Sequence, residues 1–196
     1  NIKFFVRQCI KMCVQNILLP IVYKIYSRKP INNKLVVFAD AHHQEIPYSM
    51  KLMKDKFDNI IYVGKAKILN VIYEMIKFIK LYAVAKYVFI CDNFLPVSSC
   101  KKRKDTTVIQ LWHAGGILKK FAYDTDDDIP NYYKGNVFKN YDIVTVSEEC
   151  CIPIYERAMK LNKGVVKATG LSRTDLFFDD SYKSVMSYFI KNIQMQ

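Results

Sequence analysis

Tyr87-Val-Phe-Ile-Cys91 and Thr107-Val-Ile-Gln-Leu-Trp112 are short apolar runs, and each ends abruptly on polar or small residues. Asp92-Asn93 follows the first, and His113-Ala-Gly-Gly116 follows the second. Neither run alternates apolar with polar positions, as a strand with one wet face would. Continuous β-branched and aromatic runs of this length belong to strands buried on both faces. Similar runs lie outward from this pair: Lys34-Leu-Val-Val-Phe-Ala39, Asn59-Ile-Ile-Tyr-Val63, Asp142-Ile-Val-Thr-Val146 and Gly164-Val-Val-Lys-Ala168. Helical patterns fall between and after them, near residues 46–56, 67–84, 115–122, 148–161 and 180–192. This alternation predicts an α/β fold, a parallel sheet with helices on both faces.

In such a sheet, function collects where strands end and loops turn into helices. The informative residues cluster there. Asp40-Ala-His-His43 follows the first strand, Asp92-Asn93 the third, Trp112-His113 the fourth, Ser147-Glu-Glu149 the fifth and Thr169-Gly170 the sixth.

The chain has 196 residues, 51% of them hydrophobic, enough for a sizeable single core. Its balance of 30 basic against 18 acidic residues gives +12, which implies an anionic partner: nucleic acid, an anionic membrane or a phosphorylated substrate. No helix-turn-helix, RNA-recognition or zinc-finger pattern is visible, so nucleic acid is not expected. The six cysteines and three histidines show no metal-ligand spacing, and a reduced, cytosolic set of thiols is expected.

Residues 2–28 read as basic amphipathic helix. Lys3, Arg7, Lys11 and Gln15 recur every fourth residue as a polar stripe, and Pro20 kinks or restarts the helix. The longest uncharged run, Met12 to Tyr23, is about a dozen residues against the roughly 20 a spanning helix needs. Two readings stand: an interfacial helix on anionic lipid, or a helix packed on its own domain.

Three segments carry chemistry. In Trp112-His-Ala-Gly-Gly116 a histidine precedes glycines that open a predicted helix; free N–H groups there favour phosphate, and Lys119 and Lys120 follow. Histidine is the natural acceptor for a hydroxyl proton near neutral pH. It equally serves as a hydrogen-bonded residue at a strand end. His42 and His43 bind phosphate or position an acceptor, or form local loop contacts. Arg173 in Thr169-Gly-Leu-Ser-Arg-Thr-Asp175 gives a bidentate contact to phosphate or pairs with Asp175. Lys101-Lys-Arg-Lys104 reads as an exposed basic loop.

Together these segments resemble the CDP-glycerol glycerophosphotransferase family, the polymerases and primases of teichoic acids and related capsule polymers. Ile109-Gln-Leu-Trp-His-Ala-Gly-Gly-Ile-Leu-Lys-Lys120 is similar to the family's Q-x-W-H signature with its lysine pair, and Phe121-Ala-Tyr-Asp124 continues it. Ala85 to Pro96 is similar to the family strand that ends in Asp-Asn, and Thr169 to Phe177 to its T-G-x-P-R-x-D segment. Ser172 stands where the family usually has Pro, and Ala114 where Gly is commoner. The match covers roughly residues 34–180.

The resemblance implies the N-terminal half of a glycosyltransferase-B-like architecture, with the site between two Rossmann-like domains. On this reading residues 1–30 associate with membrane, residues 31–180 form the acceptor-side domain, and residues 181–196 begin a linker to a donor domain absent from the chain. The fragment is then inactive alone. The resemblance implies His113 as catalytic base. His42, His43, Asn93, Gly115, Gly116, Lys119, Lys120, Arg173 and Asp175 bind substrate or phosphate. Lys3, Arg7 and Lys11 meet the membrane on its cytoplasmic face. The implied donor is CDP-glycerol or CDP-ribitol and the acceptor a lipid-linked polyol phosphate, with no metal or cofactor. The alternatives are half of a nucleotide-sugar glycosyltransferase, or a basic membrane-binding module without catalysis.

Overall fold

A computed structural model of the chain describes residues 6, 9, 10, 12–39, 59–63, 70–114, 116–126, 129, 136–171, 174 and 178. The strands are β1 (Asn32–Ala39), β2 (Asn59–Val63), β3 (Ala85–Ile90), β4 (Thr107–Gln110), β5 (Ile143–Val146) and β6 (Val166–Ala168). They form a six-stranded sheet in the order β2-β1-β3-β4-β5-β6. Every pairing is parallel, including Val88 opposite Val108 in β3–β4 and Ile109 opposite Ile143 in β4–β5. The apolar runs thus become strands as their composition predicts. β4 stops at Gln110 rather than Trp112, because Trp112 takes a left-handed backbone (φ 57°) that leaves the extended region.

The described helices are α1 (Leu19–Tyr26), α2 (Val71–Tyr82), α3 (Leu95–Ser98) and α4 (Ile152–Ala158). Pro20, Pro96 and Pro153 each sit in the first turn of a helix, where a missing N–H costs nothing. A π-helical turn, Val14–Leu18, leads into α1 and lets the helix pass Pro20, as the sequence anticipated. The predicted helix over 148–161 is realised as a 3₁₀ turn, Glu149–Cys151, followed by α4. The helices expected at 46–56 and 180–192 lie outside the described residues, as does the whole of 181–196.

One expectation is corrected. Among the described residues no helix opens directly after His113: residues 116–121 are irregular, and the next regular piece is a short 3₁₀ turn, Ala122–Asp124. The reason is local. Adjacent glycines disfavour helix, and Ile117 and Leu118 find no surface to pack on, Leu118 being 99% exposed.

The core lies on both sides of the sheet. On one face Leu35, Val37, Val88, Ile90, Val108 and Val144 meet Leu19 and Tyr23 of α1, Phe78, Ile79 and Tyr82 of α2, and Tyr155 of α4. The opposite face buries Val36, Phe38, Phe89, Cys91 and Ile109. Each fully buried side chain of this size contributes about 1.5–3 kcal/mol.

The basic interval between β3 and β4 is more than a solvated loop. Lys101 and Lys104 are exposed, but Arg103 donates from Nη1 to the carbonyl oxygens of Ser27 (3.1 Å), Lys29 (2.6 Å) and Ala83 (3.4 Å). Its N–H donates to Tyr23 Oη at 2.9 Å. Lys102 Nζ lies 3.0 Å from Asp142 Oδ1, while Asp142 Oδ2 accepts from the Val108 N–H at the start of β4.

One residue of the polar stripe expected in the N-terminal helix is placed differently. Gln15, expected in the polar stripe, is buried, and Lys3, Arg7 and Lys11 lie outside the described residues. The surface that faces outward carries Val6, Ile10, Ile17, Ile21 and Ile25, each 48–58% exposed. No helix among the described residues is long and apolar enough to cross a membrane.

Candidate functional site

The carboxyl ends of β3 and β4 open side by side, next to the point where the strand order reverses between β1 and β3. Asp92 leaves β3 and His113 leaves β4. His113 Nδ1 lies 3.5 Å from Asp92 Oδ1, an ion-pair approach looser than a short hydrogen bond. Such bonds commonly tighten only when substrate is in place. The His113 side chain is 44% exposed and the Asp92 side chain 16%, so the carboxylate backs the ring from the protein side.

His113 sits on a braced turn. A left-handed backbone at a bulky residue costs of order 1–3 kcal/mol and persists only where the surroundings over-determine it. Here the Trp112 N–H donates to Gln110 Oε1 (2.9 Å), and Thr145 Oγ1 donates to the Leu111 carbonyl (3.1 Å). The Trp112 indole stacks on the His113 ring (centroids 4.8 Å, 29°) and meets Phe121 and Tyr155 at its other edges. Tyr155 Oη donates to the Ala114 carbonyl at 2.8 Å. Burial pushes the Tyr155 phenol up to about 12, so this donor keeps its proton throughout the neutral range.

These residues border a cavity of about 430 Å³. Asp92, Asn93, His113 and Lys119 give it polar and charged groups; Trp112, Phe121, Ile129 and Phe138 give it an apolar wall. Among the predicted site residues, the structure therefore brings together His113, Asn93, Gly116 and Lys119. Lys120 is exposed and is not among the cavity-lining residues. His42, His43, Gly115, Arg173 and Asp175 lie outside the described residues. Among the described residues, Lys119 is the cation that lines the cavity.

In the sequence Asp92 and Gln110 stand in quoted motifs but carry no assigned role, and Tyr155 is not singled out. A signal existed for Gln110, since a lone amide inside a buried apolar strand must find partners. Tyr155 gave none, because its contact with Ala114 spans 41 positions.

A parallel α/β sheet with a histidine–carboxylate pair at its strand ends defines a Rossmann-like domain with a polar cleft at the carboxyl ends of its strands. The sequence comparison makes this particular. The profile of the family CDP-Glycerol:Poly(glycerophosphate) glycerophosphotransferase matches residues 21–193, and the chain belongs to that family. A teichoic acid poly(ribitol-phosphate) polymerase of Bacillus spizizenii is 28% identical over 172 residues, covering 83% of this chain and 28% of that protein. A teichoic acid glycerol-phosphate primase of Bacillus subtilis is 34% identical over 106 residues, 50% of this chain and 27% of that protein. The chain thus spans less than a third of the curated relatives it matches. The wall teichoic acid polymerase TagF shares the fold, with TM-score 0.62 at 15% identity over 89% of this chain and 48% of that one. A TagF variant soaked with CDPG has the same similarity in fold, TM-score 0.62.

Proposed function

We propose that this chain is the acceptor-activating part of an enzyme that transfers polyol phosphate from a CDP-polyol to a growing polyol-phosphate chain. The observation that carries the reading is the Asp92–His113 pair at the mouth of the cavity. With Nδ1 directed at Asp92, the imidazole takes the acceptor's hydroxyl proton on Nε2. The oxygen so activated attacks the β-phosphorus of CDP-glycerol or CDP-ribitol, the bond to the bridging oxygen breaks, and CMP leaves. Asp92 orients the ring and stabilises the imidazolium that forms, and Lys119 offsets phosphate charge at the cavity. Membership in a family whose curated members include teichoic acid polymerases and primases supports this substrate class. A second domain supplies the donor site in this reading, so residues 31–180 alone do not turn over.

The acceptor we propose is lipid-linked, which places the protein on the cytoplasmic face of the membrane. The isoleucine stripe of the N-terminal helix, with exposed Lys24, Arg28 and Lys29 at its end, supports that placement.

The test is transfer of labelled polyol phosphate from CDP-glycerol and CDP-ribitol by the full-length protein. His113→Ala is expected to lower turnover by roughly 10²-fold or more. Near-parental turnover in that variant removes His113 as the base.

A further inference from the structure

The site described above leaves one buried polar side chain without a chemical role. Gln110 is the last residue of β4 and is fully buried (0% exposed) in an otherwise apolar strand. Its two amide ends reach two different pieces of the site. Nε2 donates to the Asp92 backbone carbonyl at 2.9 Å, and Oε1 accepts from the Trp112 N–H at 2.9 Å. The same Nε2 lies 3.5 Å from Tyr141 Oη. One side chain therefore ties the backbone of the residue behind the imidazole to that of the residue before it.

We propose that Gln110 is a positioning residue that sets the Asp92–His113 geometry, and with it the tautomer of His113. The proposal rests on the transfer reading of the same site. Its physical basis is the difference between an amide and its isosteres. An amide donates and accepts at once, so it can hold the β3 end and the β4 turn at a fixed separation. An apolar side chain of equal volume fills the core but holds neither. No backbone hydrogen bond substitutes for these, because β3–β4 pairing ends at Ile90 and Gln110 and only the Leu111 N–H to Ile90 carbonyl contact (2.8 Å) extends it. Loss of the clamp also frees Trp112 to leave its left-handed conformation, and the indole stacked on His113 moves with it. Groups that hold a reacting residue from behind in this way govern its protonation state and orientation.

The readout is the His113 tautomer, measured by ¹⁵N NMR of imidazole-labelled protein at a pH where the ring is neutral. With only three histidines in the sequence, His113→Gln assigns the signal. The parent is expected to show Nδ1–H as the dominant form, the proton facing Asp92. Gln110→Met is expected to give a mixture of tautomers, and a loss of transfer kcat/KM of about tenfold or more. Gln110→Glu, which keeps an acceptor for Trp112 but when ionised has no donor for the Asp92 carbonyl, gives a second variant with the same expectation. Asn140→Ala is the control for a merely structural loss. It removes another hydrogen-bonded amide, half-buried, that donates to the Val97 and Cys100 carbonyls at 2.7 Å each, and is expected to leave the tautomer unchanged. A folded Gln110 variant that retains the parental tautomer overturns the proposal. An Asp92→Asn protein with the parental tautomer overturns the pair itself, so failure of the proposed function is seen separately. A normal tautomer together with absent transfer in the parent would count against the substrate assignment alone.

Discussion

Arg103 directs one guanidinium nitrogen at three carbonyl oxygens drawn from the end of α1 and the loop before β3, and its own N–H at the Tyr23 hydroxyl. It fastens the N-terminal helix to the sheet by charge-assisted bonds, which contribute more than neutral ones. Arg103→Met keeps much of the stem's packing and removes every side-chain donor. It is expected to cost about 2–4 kcal/mol and to lower Tm by roughly 5–15 °C for a chain of this size. A thermal melt of the variant unchanged within about 2 °C would sink this role. The sequence does not show it, because the partners lie 20 to 80 positions away and the neighbouring lysines suggest solvent. Gln110 is legible as a lone amide in an apolar strand, but its bond to Asp92 across 18 positions is not. His113 was legible because its chemistry, its strand end and its flanking glycines all lie within a few consecutive residues.

At the scale of elements, strands were more legible than helices. A strand buried on both faces declares itself in four to six consecutive residues. The stretch after His113 carries apolar residues too, yet Ile117 and Leu118 point at solvent and no helix forms. The sequence leaves open whether the N-terminal helix meets lipid or packs on its own domain. The described part packs: the Tyr23 ring meets Tyr82 of α2 at 5.2 Å, with Gln15 inward and Ile17, Ile21 and Ile25 outward. That stripe gives a prediction of its own. Ile17→Gln, Ile21→Gln and Ile25→Gln together are expected to weaken binding to vesicles containing phosphatidylglycerol by about tenfold or more. The parent's binding is expected to fall with salt, as a basic flank requires. Equal sedimentation of parent and triple variant with vesicles would exclude this face as the contact.

The whole molecule shows an asymmetry in its response to pH. Burial pushes the Tyr23 phenol and the Cys100 thiol up to about 12, and raises Tyr82 and Tyr141 as well. Tyr155 shifts the same way. In each case the folded protein holds a proton that the unfolded chain gives up earlier, near pH 9 for the thiol and 10 for the phenols. Above those values the native state binds more protons, so stability must fall as pH rises. Urea midpoints are expected to agree between pH 7 and pH 8.5 and to drop clearly by pH 10.5. Part of the rise in absorbance at 295 nm should coincide with unfolding; a rise already complete while the protein is still folded would contradict the picture.

The parallel arrangement of the sheet also governs the order in which the chain folds. No two strands are joined by a hairpin, so each pairing must first close a loop, and the entropic cost grows with its length. Of the neighbouring pairs, β3 and β4 are separated by the fewest residues, Cys91 to Thr106. These are the strands whose following turns carry Asp92 and His113. The pair that carries Asp92 and His113 is therefore expected to meet first, among the earliest long-range events of folding.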